Sequence, residues 1–155
     1  MRATFDNGRW RPLVEVKLTL GGTSQLVWML VDSGADRTTI SPDLAKALSG
    51  LEFDQVGDPG PEILGMGDSK AGSGTPSREV DAEVAYLGRK VPTRLWVAPT
   101  PYPVLGREDF MKRFNCRFYW DRDPPEFFVE PAQPSSRRPV SQSTPDPTIR
   151  PRRKR

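Results

Sequence analysis

Between residues 12 and 20 apolar and polar side chains alternate: Val14, Val16, Leu18 and Leu20 fall on one face, with Glu15, Lys17 and Thr19 on the other. That period of two predicts a half-buried strand. Gly21-Gly22-Thr23-Ser24 supplies a turn, and residues 25–31 then form a second, more apolar strand, so the pair reads as a hairpin. The run Leu26 to Val31 is uninterrupted, which predicts a buried strand, and it ends abruptly at Asp32-Ser33-Gly34-Ala35-Asp36. Thr38-Thr39-Ile40 can add a short strand. Ser41-Pro42 followed by apolar residues at helical spacing through Leu48 predicts a capped short helix.

Further along, residues 54–61 are dominated by Gly, Pro and Asp, and Gly65-Met66-Gly67 suits a hairpin tip that approaches another backbone closely. A loop at residues 72–76 precedes a clean alternation from Glu79 to Leu87, which turns at Gly88-Arg89 into a strand from Lys90 to Ala98. Val104-Leu105-Gly106 leads into a one- to two-turn helix over residues 107–114. Strands at 116–120 and 126–130 flank a turn at 121–125. The expected fold class is mostly β with two short helices.

Composition narrows the chemistry. The chain of 155 residues has no histidine, which removes Ser-His-Asp and Cys-His catalysis, imidazole metal sites and the usual neutral-pH proton shuttle. Its single cysteine, Cys116, can form neither an internal disulfide nor a thiolate zinc cluster and is expected to be a small buried hydrophobe. No metal or organic cofactor is called for. The longest apolar run is far short of the ~20 residues that cross a bilayer, and the first residues carry no apolar signal segment, so a cytoplasmic protein without membrane contact is expected.

Charge divides the chain in two. Residues 1–131 hold 16 Lys and Arg against 19 Asp and Glu, whereas residues 132–155 hold 7 against 1. The first part is long enough for one modest core. The second, rich in Pro, Ser and Arg, cannot bury enough surface to offset its ordering entropy and is expected to be a disordered basic tail. With the folded part net acidic, nucleic acid is expected at most as a weak contact of that tail.

A carboxylate delivered by an apolar strand into a tight turn is costly unless it has a partner or a task. Asp32 is therefore the candidate catalytic acid. Hydrolysis of a peptide bond without metal or covalent nucleophile needs one group to take a proton from water and another to give one to the carbonyl oxygen.

Three segments in order carry a family resemblance: residues 30–40 (Leu-Val-Asp-Ser-Gly-Ala-Asp-Arg-Thr-Thr-Ile), Ile63-Leu64-Gly65-Met66-Gly67, and Val104-Leu105-Gly106-Arg107-Glu108-Asp109-Phe110. Together they resemble the active-site loop, the glycine-rich flap and the Gly-Arg segment of the retropepsins, the single-domain, retroviral-type aspartic proteases, in their stand-alone cellular or bacterial form. The resemblance spans roughly residues 12–131. It implies a closed β-barrel acid-protease fold with one lobe per chain, and a homodimeric aspartic endopeptidase acting on extended polypeptide, with Asp32 of each subunit meeting its mate. It further implies that Ser33, Gly34 and Ala35 support the active-site loop. Ile63, Leu64, Gly65, Met66 and Gly67 would form a flap over substrate, with Ile63, Met66 and Val104 as apolar lining. Asp36 and Arg107 would form an internal, poorly solvated ion pair. Residues 126–130 are left two options, pairing with a symmetry mate or with residues 116–121 of their own subunit. The alternative function is a retropepsin-fold module without turnover, serving dimerisation or peptide binding.

Overall fold

The structure, a computed structural model, describes residues 4–6, 8–64 and 74–133. Short strands β1 (Thr4–Asp6) and β2 (Arg9–Arg11) pair as a small hairpin. They precede the predicted pair β3 (Leu13–Leu20) and β4 (Thr23–Val31), antiparallel from Leu13↔Leu30 to Leu20↔Thr23. After β5 (Thr39–Ile40), helix α1 (Pro42–Ser49) starts on the expected cap: Ser41 Oγ accepts the Leu44 N–H at 3.2 Å, and Gly50 ends it in the left-handed region. A two-residue β6 (Asp58–Pro59) follows, then the long hairpin of β7 (Arg78–Tyr86) and β8 (Arg89–Val97). Leu87 and Gly88, both with positive φ, make its turn. The chain finishes with β9 (Val104–Leu105), a five-residue π-helical turn (Arg107–Met111), β10 (Phe114–Tyr119) and β11 (Glu126–Pro131).

Six strands close on themselves. The order β3-β4-β9-β5-β8-β7 returns to β3 through the pairing of Lys17–Thr19 with Glu83–Ala85, and β6 extends the sheet beyond β7. This is the closed, mostly β arrangement with two short helices that the sequence led us to expect. Alternation fills the interior from β3 (Val14, Val16, Leu18, Leu20), β4 (Met29, Val31), β8 (Val91, Leu95, Val97) and Leu105. Phe110 and Phe114 stack at 4.6 Å between ring centres, and Phe127 joins them in the same core.

Several expectations need correction. The apolar run 26–31 is buried only in part: Met29 and Val31 are in the core, but Leu26 is 62% and Trp28 57% exposed. β4 has a barrel interior on one side only, so alternate residues turn outward, opposite Lys17 and Glu15 respectively. The second helix stops at Met111, because its bonds run from the N–H of residue i to the carbonyl of i−5 (Met111 to Gly106, Lys112 to Arg107), and the chain straightens into β10 at Phe114. β11 takes the second of its two options, pairing with β10 of its own chain from Phe114↔Pro131 to Tyr119↔Glu126. The pairing buries Phe127 and leaves Phe128 45% exposed. Cys116 is half-buried rather than buried. The tail from Pro134 onward, like Gly65, Met66 and Gly67 of the expected flap, lies outside the described residues. No helix among the described residues is long and apolar enough to cross a membrane.

Candidate active site

Asp32 stands where β4 leaves the barrel. Its N–H donates to the Leu105 carbonyl at 3.1 Å, continuing the parallel β4–β9 pairing, and its carboxylate Oδ1 accepts the Gly34 N–H at 2.8 Å. A Cβ on Gly34 would lie 3.2 Å from that same oxygen, so glycine leaves the carboxylate room to move onto its amide donor. The Ala35 N–H returns to the Asp32 carbonyl at 3.2 Å and closes the turn.

The segment 105–109 is stitched along this loop residue by residue. Ala35 and Asp36 carbonyls accept the N–H groups of Arg107 (2.9 Å) and Glu108 (2.8 Å), and the Arg107 guanidinium pairs with the Asp36 carboxylate. Gly106 passes so close that a Cβ there would sit 2.3 Å from the Arg37 carbonyl carbon. The expected partners, Asp36 and Arg107, do meet, but in the open: their side chains are 61% and 55% exposed, so the pair is well solvated and energetically slight.

A residue that sequence reasoning missed holds the loop from below. The Asp109 carboxylate is 7% exposed and accepts the Thr38 N–H (3.1 Å), the Thr38 hydroxyl (3.0 Å), the Thr93 hydroxyl (2.7 Å) and its own neighbour's N–H at Phe110 (3.1 Å). Thr38 Oγ1 in turn accepts the Gly106 N–H at 3.2 Å. Every partner of Asp109 is a donor, which is the environment an ionised carboxylate requires when water is excluded. The only hint in the sequence was a second acid following Glu108 just before an apolar Phe110-Met111 pair.

Asp32 borders a cavity of about 530 Å³, a volume suited to several side chains of a ligand. Gly34 and Ala35 line it beside Asp32; Leu30, Val104 and Trp96 make its apolar walls, and Ile63 and Leu64 border it too. Reciprocal bonds between Ile63 and Thr75, both 2.9 Å, tie together the two arms that lead to residues 65–73. Ser33 does not line this cavity; together with Asp32 it borders a second groove of about 300 Å³ that Trp10, Phe118 and Trp120 also line. The site therefore brings Asp32, Gly34, Ala35, Ile63, Leu64 and Val104 together and puts Ser33 on the outside. Among the described residues, no group of three or more Cys, Asp or Glu side chains is placed to hold a metal ion.

No protein-family model matches the chain, and no curated protein does. Among solved structures, the fold is similar to that of EIAV protease complexed with the inhibitor HBY-793, at 22% sequence identity and a TM-score of 0.42, over 68% of this chain and 89% of that one.

Proposed function

We propose that the protein is an aspartic endopeptidase in which Asp32 from two copies of the chain forms a carboxylate dyad around a water molecule. The observation that carries this reading is Asp32 itself: a carboxylate held by the Gly34 N–H at the edge of a cavity with apolar walls, on a loop anchored along its length by residues 105–109. A single carboxylate cannot both accept a proton from water and deliver one to the carbonyl. The other acids bordering the cavity offer poor second partners, since Asp36 is paired with Arg107 and Glu62 is exposed. A symmetric pair of chains supplies the missing group. The outward-facing Ser33, in a groove with exposed Trp120 and Trp10, supports the idea that a second copy docks on this face.

In the reaction the two carboxylates share one proton, because like charges held close together cannot both ionise. The ionised member takes a proton from water as the water oxygen attacks the peptide carbonyl carbon, and the protonated member gives its proton to the carbonyl oxygen. Collapse of the tetrahedral diol breaks the C–N bond while a proton passes to the leaving nitrogen. A cytoplasmic setting is part of the proposal and is supported by the single cysteine, which can form no internal disulfide.

The test is cleavage of an unstructured polypeptide by the full chain, across pH, with sedimentation of the same samples. Hydrolysis should be fastest below neutral pH, should require dimer, and should vanish in Asp32→Asn with the fold retained. Turnover by Asp32→Asn, or by a strict monomer, would overturn the mechanism.

A further inference from the structure

Charged side chains around the cavity are mostly accounted for. Asp36 is bound by Arg107, Arg11 lies over the Tyr102 ring at 4.2 Å, and Glu62 is exposed to water, which screens it. Arg37 differs. It is half-buried, borders the cavity, and its guanidinium has no carboxylate within ion-pair distance among the described residues. A guanidinium partly withdrawn from water and left without an anion loses hydration with nothing in return, and its planar fork is suited to bidentate recognition of a carboxylate.

The backbone under Arg37 has little freedom to carry it elsewhere. Gly106 packs against its carbonyl carbon, where a Cβ would come within 2.3 Å, and its carbonyl oxygen accepts the Thr39 hydroxyl at 3.2 Å. The flanking residues are tied down as well, Asp36 to Arg107 and Thr38 to Asp109. Beside it, Trp96 borders the same cavity and is locked in place. Its backbone N–H donates to the Thr38 carbonyl at 2.9 Å, its indole Nε1 donates to Glu79 at 2.9 Å, and Glu79 is held in turn by Arg94 at 2.9 Å. A fixed aromatic wall next to an anchored, unpaired cation makes a recess for a side chain with an apolar stem and an anionic end.

From this juxtaposition we infer that the protein selects polypeptides carrying a carboxylate on the segment that lies beside the scissile bond, with Arg37 as the specificity-determining residue. The inference rests on the endopeptidase reading above and narrows its substrate class. The carboxylate has two sources, an internal Glu or Asp side chain or the free carboxyl end of a chain; they share the same chemistry at Arg37.

The experiment uses the full chain and a set of otherwise identical extended peptides with blocked C-termini. In these a Glu, a Gln or a Lys is moved one position at a time along the segment flanking the cleaved bond; a second arm places Gln throughout and leaves the C-terminal carboxylate free. In the wild type, one Glu position should raise kcat/KM about tenfold over Gln, the value of one charge-assisted hydrogen-bonded pair. The ratio should fall to near one in Arg37→Gln and invert in favour of Lys at that position in Arg37→Glu, with thermal unfolding confirming that both variants are folded. A preference seen only in the second arm assigns the carboxylate to a chain end. Equal rates for Glu and Gln at every position and no effect of the free end, or a Glu preference that survives in Arg37→Gln, would overturn the inference while leaving the hydrolytic reading intact. The same peptides titrated against Asp32→Asn by fluorescence anisotropy separate the two claims. Arg37-dependent carboxylate binding by a protein that cleaves nothing in its wild-type form would sink the endopeptidase reading and with it the place of the carboxylate beside a scissile bond, leaving only carboxylate recognition by Arg37.

Discussion

Replacing Asp109 by Ala should destabilise the protein far more than breaking the Asp36–Arg107 ion pair, although the pair is the more conspicuous contact. Removal of the Asp109 carboxylate strands three donors, the N–H of Thr38 and the hydroxyls of Thr38 and Thr93, while the Phe110 N–H keeps its bond to the Gly106 carbonyl at 3.2 Å. The hydroxyls can rotate, and Thr38 Oγ1 already accepts from Gly106, but the Thr38 amide cannot turn away. Each buried donor left unmade costs about 1–3 kcal/mol, so with partial relaxation the loss should be about 2–4 kcal/mol. That is a large share of the ~5–15 kcal/mol that holds a domain of this size together. Asp36→Asn removes an exposed pair and should cost less than about 1 kcal/mol. Thr93→Val, which removes one of the three donors together with its need, should fall between them at about 1 kcal/mol. Equilibrium unfolding in urea at one fixed protein concentration reads all three, with an unchanged slope confirming that the midpoint shift reports stability. The Asp109→Ala and Thr93→Val changes should couple by about 0.5–3 kcal/mol in a double-mutant cycle. An Asp109→Ala protein within about 1 kcal/mol of the parent, or less perturbed than Asp36→Asn, would refute the claim that the loop hangs on this buried acid.

Gly106→Ala should cost more than the ~1–3 kcal/mol usual for overpacking, because the new methyl group meets the Arg37 backbone rather than a side chain that can swing aside; denaturant midpoints check it. Met29→Ala should lose about 2–5 kcal/mol whereas Trp28→Thr, its neighbour on the outer face, should stay within about 0.5 kcal/mol of the parent, a contrast visible in thermal unfolding. Burial pushes the Cys116 thiol up to about 11, so a thiol reagent at pH 8 should modify the native protein slowly and the unfolded one fast. The sign for stability follows. Above the ordinary thiol value of ~8.5 the unfolded chain releases its proton first, so this contribution is intact below that pH and is lost as pH rises toward the folded value.

What could be read from the chain was what depends on near neighbours. The Ser41-Pro42 start of α1, the alternation of β3 and the turn at Gly88 all follow from local steric and capping rules, and they stand where expected. The outward Leu26 and Trp28 were misread because an apolar run carries no mark of how many layers will cover it; that depends on the sheet closing so that only one face of β4 meets the core. The second helix was drawn too long because no local signal marks where its last bonds, Met111 to Gly106 and Lys112 to Arg107, give way to β10 at Phe114. At the site, Asp32 and Gly34 were legible from their turn. Asp109 was not, since its donors Thr38 and Thr93 lie 71 and 16 residues away and no local pattern announces them. Arg37 likewise resembled any surface cation until the cavity beside it was seen.

The lacing of residues 32–38 onto residues 105–109 has a consequence for synthesis. During translation the acid-bearing turn leaves the ribosome long before its anchor, 71 positions downstream, has been made. A nascent or truncated chain that stops short of Gly106 lacks Arg107 and Asp109 and the amides of Gly106, Arg107 and Glu108 that lace onto the turn. The anchored shape of the turn is thereby withheld until most of the polypeptide has emerged, so the order of the chain sets when the turn is complete.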